Sequence, residues 1–211
     1  RKALRLGTIV HIDHFDELAL AVQEEAGKPI TFARLEIERA LDTFEDAAEC
    51  ARRAEGELLT LDGFGPGVGR TGLVSRVPVG PVSAITPFNF PFNLVAHKVA
   101  PGIAAGCPIV LKPASQTPSA ALIMAELAAE AGLPAGGLAV VPCDRAGADA
   151  LTTDERLELL TFTGSPEVGW RMKERAGRKK VVLELGGNAA VIVEPDADLD
   201  LAAAKCAMGA T

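Results

Sequence analysis

Pro108-Ile109-Val110-Leu111-Lys112-Pro113, running through Ala114-Ser115-Gln116-Thr117-Pro118 into Ser119-Ala120-Ala121-Leu122-Ile123-Met124-Ala125-Glu126-Leu127, is the stretch on which the fold turns. A short apolar run rich in β-branched residues reads as a buried strand. A proline-bounded loop follows, then an Ala/Leu-rich segment long enough for a helix. Working outward, the same alternation repeats. It predicts a strand over 81–86, a helix over 92–103 and a strand over 108–112. A helix over 119–131, a strand over 137–142 and a short helix over 147–151 come next. Beyond them lie a strand over 157–163, a helix over 166–176, strands over 181–185 and 189–194, and a final helix from Asp198. Strands and helices in turn, with Val/Ile/Leu-rich strands, give an α/β fold: a parallel sheet with helices on both faces. Upstream, Leu18, Ala21 and Val22 mark a helix over 15–26 that stops at Gly27 before Pro29. A second helix carries Ile37, Leu41, Phe44, Ala48 and Ala51 on one side and ends near Gly56. Segments 58–61 and 73–79 read as strands on either side of a glycine-rich turn.

That turn contains Gly67-Val68-Gly69-Arg70-Thr71-Gly72, a literal G-x-G-x-x-G. A dinucleotide fingerprint must lead from a strand into a helix, so that a pyrophosphate meets the helix N-terminus. Here Leu73-Val74-Ser75 continues as strand, so the motif is expected to be a hairpin loop. The formal charge of −7 argues against nucleic acid, which needs a basic footprint. With 48% apolar and 23% charged residues, the chain can bury a core and is not disordered. The longest uncharged window, 77–97, contains Pro78, Pro81, Pro87 and Pro91 and cannot be a membrane helix. The first residues lack the apolar run of a signal peptide and an initiator Met, so the chain is expected not to begin at the native start. Cys50, Cys107, Cys143 and Cys206 form no Cys-x-x-Cys pair, and buried free thiols in a cytoplasmic protein are expected. His11 and His14, beside Asp13 and Asp16, could ligate a metal but equally suit a solvated helix entry; no metal site is expected.

In open parallel sheets, ligands bind beyond the carboxyl ends of the strands, and four segments fall there. Lys112 is a lone cation ending an apolar strand, suited to ribose hydroxyls or phosphates, though a solvated strand-end lysine reads the same. In Thr163-Gly164-Ser165-Pro166-Glu167-Val168-Gly169, Gly164 allows close approach, Ser165 suits an N-cap and Pro166 the first helical position. The segment could hold a phosphate or be an ordinary capped helix. Glu184, among Val181-Val182-Leu183 and Leu185-Gly186-Gly187, is expected to be partly desolvated, which would tune it towards a general base; alternatively it turns to solvent. Asn89 lies in Pro87-Phe88-Asn89-Phe90-Pro91, and its amide could serve an oxyanion or simply a turn.

Taken in order, Thr86-Pro87-Phe88-Asn89-Phe90-Pro91, Leu111-Lys112-Pro113-Ala114-Ser115-Gln116-Thr117-Pro118, Phe162-Thr163-Gly164-Ser165-Pro166-Glu167-Val168-Gly169 and Leu183-Glu184-Leu185-Gly186-Gly187-Asn188 resemble the NAD(P)-dependent aldehyde dehydrogenase superfamily. Glu25-Ala26-Gly27-Lys28-Pro29 matches its N-terminal helix signature, so the resemblance runs from about Ala19 to Thr211. It implies oxidation of an aldehyde to a carboxylic acid through a cysteine thioester, with NAD or NADP as cofactor. It further implies Asn89 as oxyanion donor and Glu184 as general base. Ile85, Thr86, Pro87 and Phe88 would line the nicotinamide side of the cleft. Lys112 and Ser115 would lie at the adenosine ribose, Gly164, Ser165 and Val168 at the pyrophosphate and adenine, and Asn89, Glu184, Leu185 and Gly186 would also contact the cofactor. The implied domains are an N-terminal helical part (1–57), a β-hairpin of the oligomerisation region (58–79) and an incomplete Rossmann-like cofactor-binding domain (80–211). Partners would be a small aldehyde and further copies in a homodimer or homotetramer, with no nucleic acid and no membrane.

Three features depart from the family pattern. Ser115 stands where many NAD-preferring members carry an acidic residue, and Pro142-Cys143-Asp144-Arg145-Ala146-Gly147 lacks the usual Gly-x-Gly. No cysteine occupies the nucleophile's context, roughly thirty residues past the base: Cys206 falls too early, in a helical stretch expected to be packed core. The chain is therefore expected to be a fragment, inactive alone, that lacks the nucleophile and the catalytic domain. The alternative is a non-catalytic cofactor-binding or structural relative.

Overall fold

The computed structural model describes residues 14–53 and 56–209, so His11 and Asp13 lie outside the described residues. Helix α1 (Phe15–Ala26) buries Leu18, Ala19 and Val22. It closes on Gly27 at φ 65°, a left-handed cap that only glycine adopts without strain. Helix α2 (Ile30–Arg52) buries Ala33, Glu36, Ile37, Ala40, Phe44, Ala47 and Ala48. The expected stripe is correct at Ile37, Phe44 and Ala48, but Leu41 is half-buried and Ala51 exposed in the last turn. Glu36 is the carboxylate on the buried stripe.

Strands β1 (Glu57–Thr60) and β2 (Thr71–Val74) form an antiparallel hairpin with Thr60 opposite Thr71. The second strand is shorter than the expected 73–79. The glycine-rich segment between them holds a single 3-10 turn, Gly65–Gly67, rather than opening a helix. Strand β3 (Val82–Ile85), helix α3 (Asn93–Ala104), strand β4 (Ile109–Lys112), helix α4 (Ser119–Glu130) and strand β5 (Leu138–Val140) follow. Then come α5 (Arg145–Thr153), β6 (Leu159–Gly164), α6 (Pro166–Arg175), β7 (Lys180–Leu185) and α7 (Leu199–Gly209).

The five strands from β3 onward form one sheet in the order β5-β4-β3-β6-β7, and every pairing is parallel. Register decides what each face buries, because paired residues in a parallel ladder project to the same side. Val82, Ala84, Ile109 and Leu111 meet α1 to α4 in one core, around Leu18, Ile37, Phe44, Phe92, Val95 and Met124. Ile85, Leu160 and Phe162 meet α5 and α6 in a second core with Leu151 and Ala176. Both faces are covered, as the apolar strands required.

Two expectations are corrected here. Residues 189–194 are not a strand: Val191 and Ile192 are exposed, and among the described residues no strand lies beside them to complete a ladder. Helix α7 buries no residue, so Cys206 is exposed rather than packed, and Cys50 is exposed as well. Cys107 is buried and Cys143 half-buried, and all four thiols are free. No helix among the described residues is long and apolar enough to cross a membrane.

Candidate active site

The strand order contains a switch point. From the central β3 the chain winds outward through β4 to β5, then returns to β6 on the other side of β3. The connections leaving β3 and β6 therefore diverge to opposite faces and open a crevice at the carboxyl edge. All four singled-out segments lie on that edge: residues 86–92 after β3, 113–118 after β4, Ser165 after β6 and Gly186 after β7. Backbone bonds tie neighbours together just past the ladders. The Thr86 N–H donates to the Lys112 carbonyl (3.2 Å), and the Gly186 N–H donates to the Gly164 carbonyl (3.1 Å).

Register then sorts the residues by face. Ile85 pairs with Lys112 and with Phe162, and Gly164 pairs with Leu185, which puts this set on the α5–α6 side. Glu184 pairs with Thr163, on the side of α3. Lys112 is buried, and its ammonium donates to the Pro113 carbonyl at 3.0 Å. The hydroxyls of Thr86 and Thr117, on the adjoining loops, are buried with no hydrogen-bond partner. Lys112, with three N–H donors and one carbonyl acceptor, has donors to spare for a polyhydroxylic, anionic cofactor. Helix α6 begins at this crevice with Ser165 at the N-cap and Pro166 in the first turn. The Ser165 hydroxyl makes no capping bond, so the cap role expected of its side chain is not realised. Gly164 is needed for a different close approach than a ligand's: a Cβ there would stand 2.5 Å from the Phe162 ring. Val168 is half-buried against the second core. Ser115 is exposed, its hydroxyl 3.5 Å from the Cys143 carbonyl, so the loops after β4 and β5 adjoin.

Across the sheet, Pro87 is half-buried while Phe88 and Asn89 are exposed. The Asn89 side-chain amide makes no hydrogen bond among the described residues, but its backbone carbonyl accepts one from Lys28 Nζ at 2.8 Å. Of the two readings left open for Glu184, the structure has the second: it is exposed on the outer strand rather than desolvated among apolar neighbours. Its flanking Val181, Leu183 and Leu185 point to the opposite face, since a strand alternates. The sequence reading missed Lys98. This residue of α3 is largely buried, donates to Thr161 Oγ1 at 2.9 Å and interacts electrostatically with Glu184. Burial lowers its pKa from 10.5 to about 8, with Glu184 opposing the shift. His97, next to it, is also lowered, first by burial and then by Arg39 and Lys98. The sequence signal was that Lys98 is the first charge after the uncharged window 77–97 and the only charge in its helix.

Of the four cysteines only Cys143 lies on this edge, where its carbonyl meets Ser115. Cys107 is buried just before the amino end of β4, opposite the carboxyl edge. Cys143 lies past β5, Cys50 near the end of α2 and Cys206 on α7.

Residues 4–211 match the model of the aldehyde dehydrogenase family. A 3-sulfolactaldehyde dehydrogenase of Priestia aryabhattai is 47% identical over 89% of this chain and 40% of its own length. The succinate-semialdehyde dehydrogenase [NADP(+)] of Escherichia coli is 45% identical over 90% of this chain and 39% of its own. Among solved structures, the NADP-dependent glyceraldehyde-3-phosphate dehydrogenase of Bacillus halodurans, complexed with NADP, superimposes with a TM-score of 0.93. It is 36% identical and covers 99% of this chain, which in turn covers 44% of it. The chain thus spans about two fifths of the length of the relatives it matches. With the ordered motifs on one sheet edge and the family match across residues 4–211, the chain belongs to the aldehyde dehydrogenase family.

Proposed function

We propose that the whole protein oxidises an aldehyde to a carboxylic acid with NAD or NADP, and that this chain supplies its oxyanion donor, its general base and most of its cofactor cleft. The observation that carries the reading is the shared edge: the Asn89 loop leads into α3 and Glu184 lies on the α3 side of the sheet, while Lys112 and the α6 N-terminus lie on the other face. A cysteine thiolate from outside the 211 residues adds to the aldehyde carbon, and Asn89 donates its amide N–H to the oxygen that becomes anionic. The carbonyl re-forms as the hydride departs, leaving a thioester on the cysteine. Bound NAD(P)+ supplies the hydride acceptor. Lys112 would hold the adenosine ribose, with Ser115 at its edge. Gly164, Ser165 and Val168 would face the pyrophosphate and adenine, and Ile85, Thr86, Pro87 and Phe88 the nicotinamide side. Glu184, beside Leu185 and Gly186, takes a proton from water, which attacks the thioester and releases acid and thiol. Its exposure favours this role, since a base for water needs access to water. Lys98, with a pKa of about 8, can exchange a proton at the same edge near neutral pH.

The proposed assembly is a homodimer or homotetramer. The support is the hairpin of β1 and β2, whose Leu58 and Leu73 are about three-quarters exposed, since a lone two-stranded ribbon is marginal without a partner. Free thiols favour a cytoplasmic setting. The test is aldehyde-dependent reduction of NAD(P)+ by the full-length protein, across small polar semialdehydes and hydroxyaldehydes. Turnover with at least one of them is expected. Cofactor binding without turnover on any aldehyde would instead favour a non-catalytic relative.

A further inference from the structure

The Asn89 loop has no regular structure, yet it is held from below by a network reaching back to the first two helices. Lys28 sits in the short turn between α1 and α2, with left-handed Gly27 before it and Pro29 after it. Its ammonium makes three contacts. It is 2.5 Å from Glu36 Oε2, 2.8 Å from the Asn89 carbonyl, and 3.8 Å above the centre of the Phe90 ring. Glu36 has no exposed side-chain surface, and its other oxygen accepts from the N–H groups of Phe92 (2.9 Å) and Asn93 (3.0 Å). Those N–H groups open α3, where the helix dipole also favours a carboxylate. One ion pair between half-buried Lys28 and buried Glu36 therefore grips the loop on both sides of Phe90-Pro91. The grip at Asn89 is on its carbonyl, which fixes the peptide plane and so the direction in which the side chain leaves the backbone. The amide that leaves in that direction has no partner of its own among the described residues.

We propose that Lys28 is a positioning residue for Asn89: paired with Glu36, it holds the Asn89 carbonyl so that the side-chain amide is already aimed at the developing oxyanion. The proposal rests on the reading of Asn89 as oxyanion donor. Donors in such a site work because they need not reorganise when charge develops, and misplacement by about 1 Å can cost ~10²-fold in rate. The two helices before the hairpin thereby take part in the chemistry of a site on the sheet.

The experiment is a double-mutant cycle in the full-length enzyme, read as the rate of the first burst of NAD(P)H. Lys28→Met keeps the stem and removes the ammonium. It should slow the burst roughly tenfold to a hundredfold, leave the dissociation constant of NAD(P)+ within about twofold, and be partly rescued in Lys28→Gln, which retains an N–H donor. In an Asn89→Ala background, Lys28→Met should cost less than about twofold more, because a residue that acts through Asn89 has nothing left to aim. An equal loss in both backgrounds, or an unchanged burst in Lys28→Met alone, overturns the proposal. A normal burst in Asn89→Ala alone overturns instead the oxyanion reading beneath it. Where Lys28→Met does not fold, the same cycle with Lys28→Gln decides, with a several-fold loss expected in the parent and none in the Asn89→Ala background.

Discussion

Lys98→Met should make the folded chain more stable at neutral pH, although it removes a hydrogen bond. Burial lowers the Lys98 pKa from 10.5 to about 8, so the folded protein holds that proton less tightly than the unfolded chain does. At a little over 1 kcal/mol per tenfold in proton affinity, the charged lysine costs on the order of 3 kcal/mol below pH 8. The unfolded state binds more protons between about pH 8 and 10.5, so stability of the parent rises with pH across that window. Methionine keeps a similar volume and has no charge to desolvate, but it leaves Thr161 Oγ1 without its 2.9 Å donor. That loss costs about 1 kcal/mol. The variant should therefore exceed the parent by about 2 kcal/mol at pH 7, and the difference should vanish or invert above pH 10.5. Urea unfolding of both proteins at pH 7 and pH 10.5, with equal m-values, measures it. A variant less stable than the parent at pH 7, by the same amount at both pH values, would refute the reasoning. A buried cation kept at such a cost beside Glu184 is what a functional edge rather than a structural one retains.

Other outcomes follow from the same structure. Ser115→Glu in the full-length enzyme should lower the NADP/NAD ratio of kcat/KM, since a carboxylate beside the adenosine ribose repels a 2′-phosphate and bonds the free hydroxyls; an unchanged ratio would count against placing Ser115 at the ribose. Gly169→Ala should destabilise by about 1–3 kcal/mol in denaturant unfolding, because the new methyl would collide with Leu185 Cδ2 and press on Phe162, and a neutral result would mean α6 can lift from the sheet freely. Residues 1–211 expressed alone should not reduce NAD(P)+ with any aldehyde, and Cys206→Ser should change nothing. Robust activity abolished by that substitution would make Cys206 the nucleophile.

What the sequence revealed follows from which forces are local. The run at 109–111 is covered on both faces, so its apolar character is continuous and its strand is plain to read. Gly27 and Pro29 punctuate α1 and α2 through backbone sterics alone. Residues 189–194 carry as strong an apolar run, but a strand exists only with a neighbour, and a run of side chains cannot report one. The sequence left the exposure of Glu184 open for a related reason. Its apolar neighbours in sequence belong to the other face, and the open position of β7 at the sheet edge is a property of topology. Lys28, Glu36 and Lys98 looked like ordinary helix and turn charges, because their partners lie 61, 56 and 63 residues away along the chain.

The central claim, that Glu184 is the base for thioester hydrolysis at an edge where Asn89 stabilises the preceding oxyanion, is tested most directly by Glu184→Gln in the full-length enzyme. That substitution keeps the shape and removes the base, so acylation should proceed while hydrolysis stalls. Rapid mixing with aldehyde and NAD(P)+ should give a burst of about one NAD(P)H per subunit, then a steady rate slowed by ~10²-fold or more. Intact-protein mass spectrometry should find the acyl group on a cysteine. Wild-type steady turnover with no accumulated acyl-enzyme would contradict the account.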